Sequence, residues 1–132
     1  MGFAFDELSS KVIAAAIAVH KALGPGFLES VYENAFKIEL AARGIPFESQ
    51  KQVEVSYKGQ ALGNHVLDLL VEDALVVELK AISRLEDVHF AQLRSYLRAT
   101  GAKVGLLMNF NSPKLEVKRM VHRYGDVDQE KP

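Results

Sequence analysis

The sequence predicts an α/β domain in which a mixed β-sheet is flanked by helices. The order is helix, helix, strand, strand, strand, helix, strand, with a further edge strand. Three observations carry this. Two N-terminal segments repeat apolar residues at three- and four-residue spacing, as amphipathic helices do. Leu67 to Leu79 is a near-continuous apolar run broken at Glu72-Asp73, the mark of strands covered on both faces. A third helical stretch then leads to the short apolar run Val104 to Met108, which makes a strand–helix–strand crossover.

The first helix is expected from about Glu7 to Leu23, with Asp6 as N-cap and an apolar stripe of Val12, Ile13, Ala16, Ile17, Val19 and Leu23. Gly24-Pro25-Gly26 stops it. The second runs from about Leu28 to Arg43; Gly44 sits where a C′ glycine belongs, and Pro46 prevents continuation. Gln52 to Tyr57 alternates polar and apolar residues as a half-exposed strand, and Lys58-Gly59-Gln60 is a turn. Further strands cover roughly Gly63 to Val71 and Ala74 to Ala81. Glu86 to Ala99 is the third helix, closed by Gly101. Lys114 to Tyr124 alternates weakly and reads as an edge strand. Residues 1–124 are expected to form a single domain and 125–132 a flexible tail.

Composition sets the outer bounds. The chain is 48% apolar and 25% charged, the balance of a soluble globular domain. With no cysteine it has no disulfides, no thiolate metal site and no cysteine nucleophile. No apolar run is long enough to span a membrane, and no signal peptide is read at the N-terminus, so the expected location is cytoplasmic. The net charge of −1 conceals an asymmetry. Residues 1–78 carry an excess of acids, whereas residues 79–124 carry Lys80, Arg84, Arg94, Arg98, Lys103, Lys114, Lys118, Arg119 and Arg123 against three acids. That basic half can neutralise phosphates; a solvated helix face with a basic edge strand is the plainer alternative.

The chemistry concentrates in Asp68, Glu78 and Lys80, ionisable residues within the greasiest stretch of the chain. Buried charges are rare unless paired or metal-bound. Glu78 and Lys80 share a strand face. Whether Asp68 joins them depends on the turn. A two-residue loop at Glu72-Asp73 puts Asp68 and Glu78 on opposite faces, whereas a three-residue loop or a bulge sets them opposite each other. If they converge, two carboxylates suit a hard cation such as Mg²⁺ or Mn²⁺, and the lysine can orient water or stabilise developing negative charge. A structural ion pair explains Glu-x-Lys on its own equally well. Glu29 opens the second helix, where a carboxylate also suits the helix dipole. His89, Gln92 and Tyr96 share one stripe of the third helix. Tyr32 is most simply core, and His20, His65 and His122 read as structural or surface. No phosphate-binding glycine loop or nucleophile elbow is present.

Taken in order, Gly26-x-x-Glu29-x-x-Tyr32, Asp68-Leu-Leu-Val-Glu, Val77-Glu78-Leu-Lys80-Ala, Gln92-x-x-x-Tyr96-Leu and Gly105-Leu-Leu-Met-Asn109-Phe resemble the bacterial GxxExxY proteins of the PD-(D/E)XK nuclease superfamily. The resemblance spans roughly Val12 to Arg123. It implies a restriction-endonuclease-like mixed sheet core. It also implies Asp68 and Glu78 as metal ligands, Lys80 as the water-orienting residue and Glu29 as an additional acid. Gln92 and Tyr96 match the Q-x-x-x-Y element of the RecB-type branch, beside the catalytic site. Leu67 stands where the superfamily name expects proline.

The expected activity is therefore metal-dependent hydrolysis of nucleic-acid phosphodiester bonds with Mg²⁺ or Mn²⁺, DNA being favoured over RNA. A catalytically silent module that keeps the fold and binds nucleic acid or a protein is the alternative. A purely structural ion-pair network is the third reading. The chain leaves little room for a separate recognition domain, so a homodimer or a protein partner belongs to the expectation.

Overall fold

A computed structural model describes residues 3–123 and 126–129. Helix α1 (Phe3–Leu23) and helix α2 (Glu29–Ala42) precede β1 (Phe47–Tyr57), β2 (Gln60–Val71) and β3 (Leu75–Lys80). Helix α3 (Asp87–Thr100) then leads to β4 (Val104–Asn109), β5 (Glu116–Arg123) and β6 (Asp126–Gln129). The six strands form one sheet in sequence order. Only β3 and β4 run parallel, because α3 is the crossover between them and every other connection is a short reversal.

Alternation along β3 and β4 splits the core in two. Leu75, Val77, Leu79, Leu106 and Met108 pack with α1 and α2, through Val12, Ala16, Tyr32, Phe36 and Leu40. Val76 and Leu107 pack on the other face against Leu93, Tyr96 and Leu97 of α3. Glycine at 105 lets α3 approach closely: a Cβ there would lie 2.8 Å from Leu93 Cδ1 and 3.2 Å from Leu97 Cδ2. None of the described helices is long and apolar enough to cross a membrane.

The expected elements recur with three corrections. Helix α1 is already formed at Phe3, so Asp6 lies inside it and is not its N-cap. Nothing between Phe3 and Asp6 is a helix breaker. Second, β5 is not an edge strand. Asp126–Gln129, placed by the sequence in a flexible tail, pair antiparallel with it as β6 and satisfy backbone groups that β5 would otherwise expose. Residues 124, 125 and 130–132 lie outside the described residues. Third, β1 and β2 begin earlier than their alternation suggests. They form a long hairpin, closed by Lys58 and Gly59 at φ 51° and 78°.

Candidate active site

The β2–β3 turn decides whether the carboxylates meet. Leu69, Leu70 and Val71 pair with Val77, Val76 and Leu75, leaving a three-residue loop of Glu72, Asp73 and Ala74. Glu72 and Asp73 both adopt left-handed conformations (φ 50° and 56°), and Ala74 N donates to Val71 O. Ala74 adds the odd residue, and the register it sets carries Asp68 opposite Glu78.

At that point the ladder gives way to side chains. Asp68 N donates to Glu78 Oε1 at 3.1 Å, and Leu79 N donates to Asp68 Oδ2 at 2.9 Å. The neighbouring strand is distorted at the same level. Gln50, between Ser49 (paired with Leu69) and Lys51 (paired with Leu67), has φ 50°. Across this kink β2 changes face: Leu67 belongs to the α3 side of the core and Leu69 to the α1–α2 side. A regular strand would put both on one face. Asp68 sits at the switch, which is how its carboxylate reaches the edge of β3.

Glu78 is 3% exposed. Burial, followed by repulsion from Asp68, pushes its carboxyl up to about 9, only partly offset by the Asp68 N–H and by Lys80. Glu78 therefore holds a proton at neutral pH when no cation is nearby. Lys80, on the same strand face, donates from Nζ to Gln92 Oε1 at 3.1 Å. Gln92 is also hydrogen-bonded to Tyr96, whose hydroxyl is held above its ordinary range by burial and by the charges of Glu78 and Asp68. Beyond it, His65 of β2 meets the Tyr96 ring edge-to-face at 4.7 Å. His65, read from sequence as structural or surface, thus lies one side chain from the site. His89 does not join its helical neighbours there. Its Nδ1 accepts from Glu86 N at 2.8 Å, closing a capping box at the start of α3.

Glu29 comes in from the opposite face of the sheet, as the first residue of α2. Its carboxyl is raised by desolvation and by Asp68 and lowered by Lys80, so it shares their electrostatic field. The preceding loop is firmly held. Tyr32 Oη donates to Gly24 O at 2.5 Å and accepts from Phe27 N at 3.1 Å. Gly26 N donates to Asn111 Oδ1 at 3.0 Å, and Gly26 has φ 112°, a conformation that favours glycine. Tyr32 is anchored in turn by stacking on Phe110 (centroids 4.9 Å apart, 22°). Tyr32 is therefore core, as its position suggests, and also the clamp for the loop that delivers Glu29.

Asn109 was quoted in the sequence only as part of a motif. It is fully buried at the end of β4. Its side chain accepts from Ile82 N (3.1 Å) and donates to Ile82 O (3.0 Å) and Glu116 Oε1 (2.9 Å). It fixes the chain just after Lys80. The signal available in sequence was an amide ending an otherwise apolar strand.

Asp68 and Glu78 fit a hard divalent cation. They are oxygen donors facing each other, each keeps a second oxygen, and their mutual repulsion is what a positive charge would relieve. Such cations need only one or two protein carboxylates and retain their waters. Among the described residues, however, no group of three or more Asp, Glu or His is gathered closely enough to hold a metal ion. Glu29 stands near the pair without completing a three-carboxylate set.

A family model described as the PD-(D/E)XK nuclease superfamily matches residues 6–120. The chain belongs to that superfamily, and its mixed sheet flanked by helices is the restriction-endonuclease-like fold. No significant match is found among curated proteins or solved structures.

Proposed function

We propose that this protein is a divalent-metal-dependent nuclease that hydrolyses nucleic-acid phosphodiester bonds. Superfamily membership supports the nuclease class. The observation that carries the reading further is the in-register pairing of Asp68 and Glu78 with Lys80 beside them. A structural ion pair would join Lys80 to one of the acids; here Lys80 is instead held by the neutral amide of Gln92, leaving its charge available to a substrate.

A bound Mg²⁺ or Mn²⁺ would supply Lewis-acid stabilisation of the phosphoryl oxygens and a water of lowered pKa. Asp68 and Glu78 would hold it, with Glu29 as a third, more distant acid. The chain's own groups do the rest. Gln92 fixes the Lys80 ammonium so that it meets negative charge developing on the phosphate. Tyr96, kept protonated, orients Gln92 and bounds the site on the α3 side. Asn109 and the Tyr32 clamp hold the segments that follow Lys80 and precede Glu29. DNA is the preferred substrate in this reading.

A second reading is a module that keeps the fold and binds nucleic acid or a protein partner without cutting. The test is incubation with Mg²⁺ or Mn²⁺ and labelled single-stranded, duplex and branched DNA and RNA, beside the Lys80→Ala protein. Cleavage by the native chain alone supports the nuclease reading. Equal traces from both proteins, with Mn²⁺ bound, would replace it with the binding module.

A further inference from the structure

A half-enclosed cleft of about 280 Å³ lies between the C-terminal part of α1 and the loop joining β4 to β5. Ile17, His20 and Lys21 line it from the helix, and Pro113, Lys114 and Leu115 from the loop. None of them belongs to the Asp68–Glu78 site. The two sides are fastened together at the base. His20 is 7% exposed, and its Nε2 donates to Ser112 O at 2.9 Å. Its ring also meets Phe110, with centroids 6.3 Å apart, and Leu115 packs on the buried core. The cleft is therefore a fixed feature of the fold.

Its lining calls for a ligand. Ile17 is 39% exposed, whereas Ala16 and Val19 beside it on α1 are buried. Lys21 and Lys114 bring one positive charge to each side, and no acid lines the cleft. The ion pairs seen among the described residues, Arg43–Glu39 and Lys51–Glu48, include neither lysine. The dipole of α1 favours a base in its last turn, which accounts for Lys21 but not for the matching charge on the loop. Two like charges around one apolar cleft are relieved by an anion between them. The volume sits at the small end of ligand pockets, with room for about ten non-hydrogen atoms. Inorganic phosphate would use the lysines and leave the apolar wall bare, while a plain hydrocarbon would do the reverse.

We propose that this cleft binds a small organic anion with a carboxylate head and an aliphatic body. Lys21 and Lys114 hold the head, and Ile17, Pro113 and Leu115 cover the body. Occupancy has a route to the loop before Glu29. Asn111, next to Ser112, accepts from Gly26 N at 3.0 Å, and Phe110 stacks on Tyr32. A ligand bridging α1 and the β4–β5 loop steadies the segment that holds Gly26.

Octanoate, an anion of about the right size, is titrated into the full chain at neutral pH in EDTA, by calorimetry and by saturation-transfer NMR. One site per chain is expected, with a Kd between about 0.1 and 1 mM. Lys21→Gln and Lys114→Gln should each weaken binding about two- to fivefold, the size of one exposed charge contact. Octanol and inorganic phosphate should each bind about tenfold more weakly than octanoate, since each lacks one half of the match. Ile17→Trp should block the cleft, and the exposure of Ile17 lets the fold survive, as circular dichroism would verify. Bound octanoate should slow hydrogen exchange at the Gly26 and Phe27 amides.

Octanoate binding unchanged in both lysine variants and in Ile17→Trp, or octanol binding as tightly, would overturn the site. Phosphate binding as tightly as octanoate would overturn the aliphatic half of the proposal, and no octanoate signal by either method would overturn all of it. Binding without slower exchange at Gly26 would overturn the link to the Glu29 loop. None of these outcomes bears on the nuclease reading, because every measurement is made without divalent cation or nucleic acid.

Discussion

Asp68 and Glu78 occupy the point where the β2–β3 ladder ends, and their side chains replace its missing rungs. The Asp68 amide donates to Glu78 Oε1 and the Leu79 amide to Asp68 Oδ2. Two acids are thereby fixed side by side in a region of low dielectric, with backbone donors oriented toward them. The arrangement favours a proton or a cation between them.

The cation-free protein should lose stability as pH rises. Glu78 has a folded pKa raised from 4.5 to about 9, and Glu29 is shifted in the same direction. The folded state thus holds a proton that the unfolded state releases. The contribution is complete below 4.5 and is lost progressively as pH rises through about 9. Thermal denaturation in EDTA across that window should show a falling Tm, and Glu78→Gln should flatten the slope attributable to this site. A pH-independent Tm in the native chain would contradict the assignment.

Divalent cation should reverse that trend. In the metal-dependent reading, Mg²⁺ or Mn²⁺ would compete with the proton for Glu78, so the gain in Tm should be larger toward the alkaline end. At a hundredfold excess over Kd the stabilisation is about 2.7 kcal/mol. Asp68→Asn should remove most of the gain, and EDTA should restore the original curve. Calorimetric titration of Mn²⁺ into both proteins checks the same point directly.

Tyr32→Phe keeps the ring stacked on Phe110 but removes the hydroxyl shared by Gly24 O and Phe27 N. Loss of these bonds should cost about 1–3 kcal/mol in urea denaturation. If Tyr32 is the clamp for Glu29, cleavage should fall further than the small rise in unfolded fraction accounts for.

Gly105→Ala tests the approach of α3. The new methyl would meet Leu93 Cδ1 at 2.8 Å, which forces Leu93 or the helix to shift. A loss of about 1–3 kcal/mol is expected. Gln92 and Tyr96 ride on the same helix, so kcat should fall as well. An unchanged Tm would mean that Leu93 rotates away freely.

Much of the candidate site's geometry was legible because it rests on local spacing. Glu78 and Lys80 two residues apart on a strand must share a face, and Gln92 and Tyr96 four apart on a helix must share a stripe. His89 shows the limit of such spacing. It obeys the same periodicity, but its position in the first turn makes it a partner for the Glu86 amide instead. Tyr32 shows another: apolar context correctly placed it in the core, while the acceptor of its hydroxyl depended on how the Gly24–Phe27 loop closes.

The sequence by itself determined the elements from α1 to β5, their order, the parallel crossover through α3 and which acids and lysine lie in the buried strands. These follow from short-range periodicity and from the cost of burying charge. Tertiary structure alone decided that Asp68 meets Glu78, because one extra residue in a turn moves a whole strand from one pairing to the next. It also decided the kink at Gln50, the approach of Glu29 from the other face, and the pairing of β6 with β5. Each depends on backbone groups distant in sequence finding partners once the sheet has formed, and no periodicity within a single segment records that.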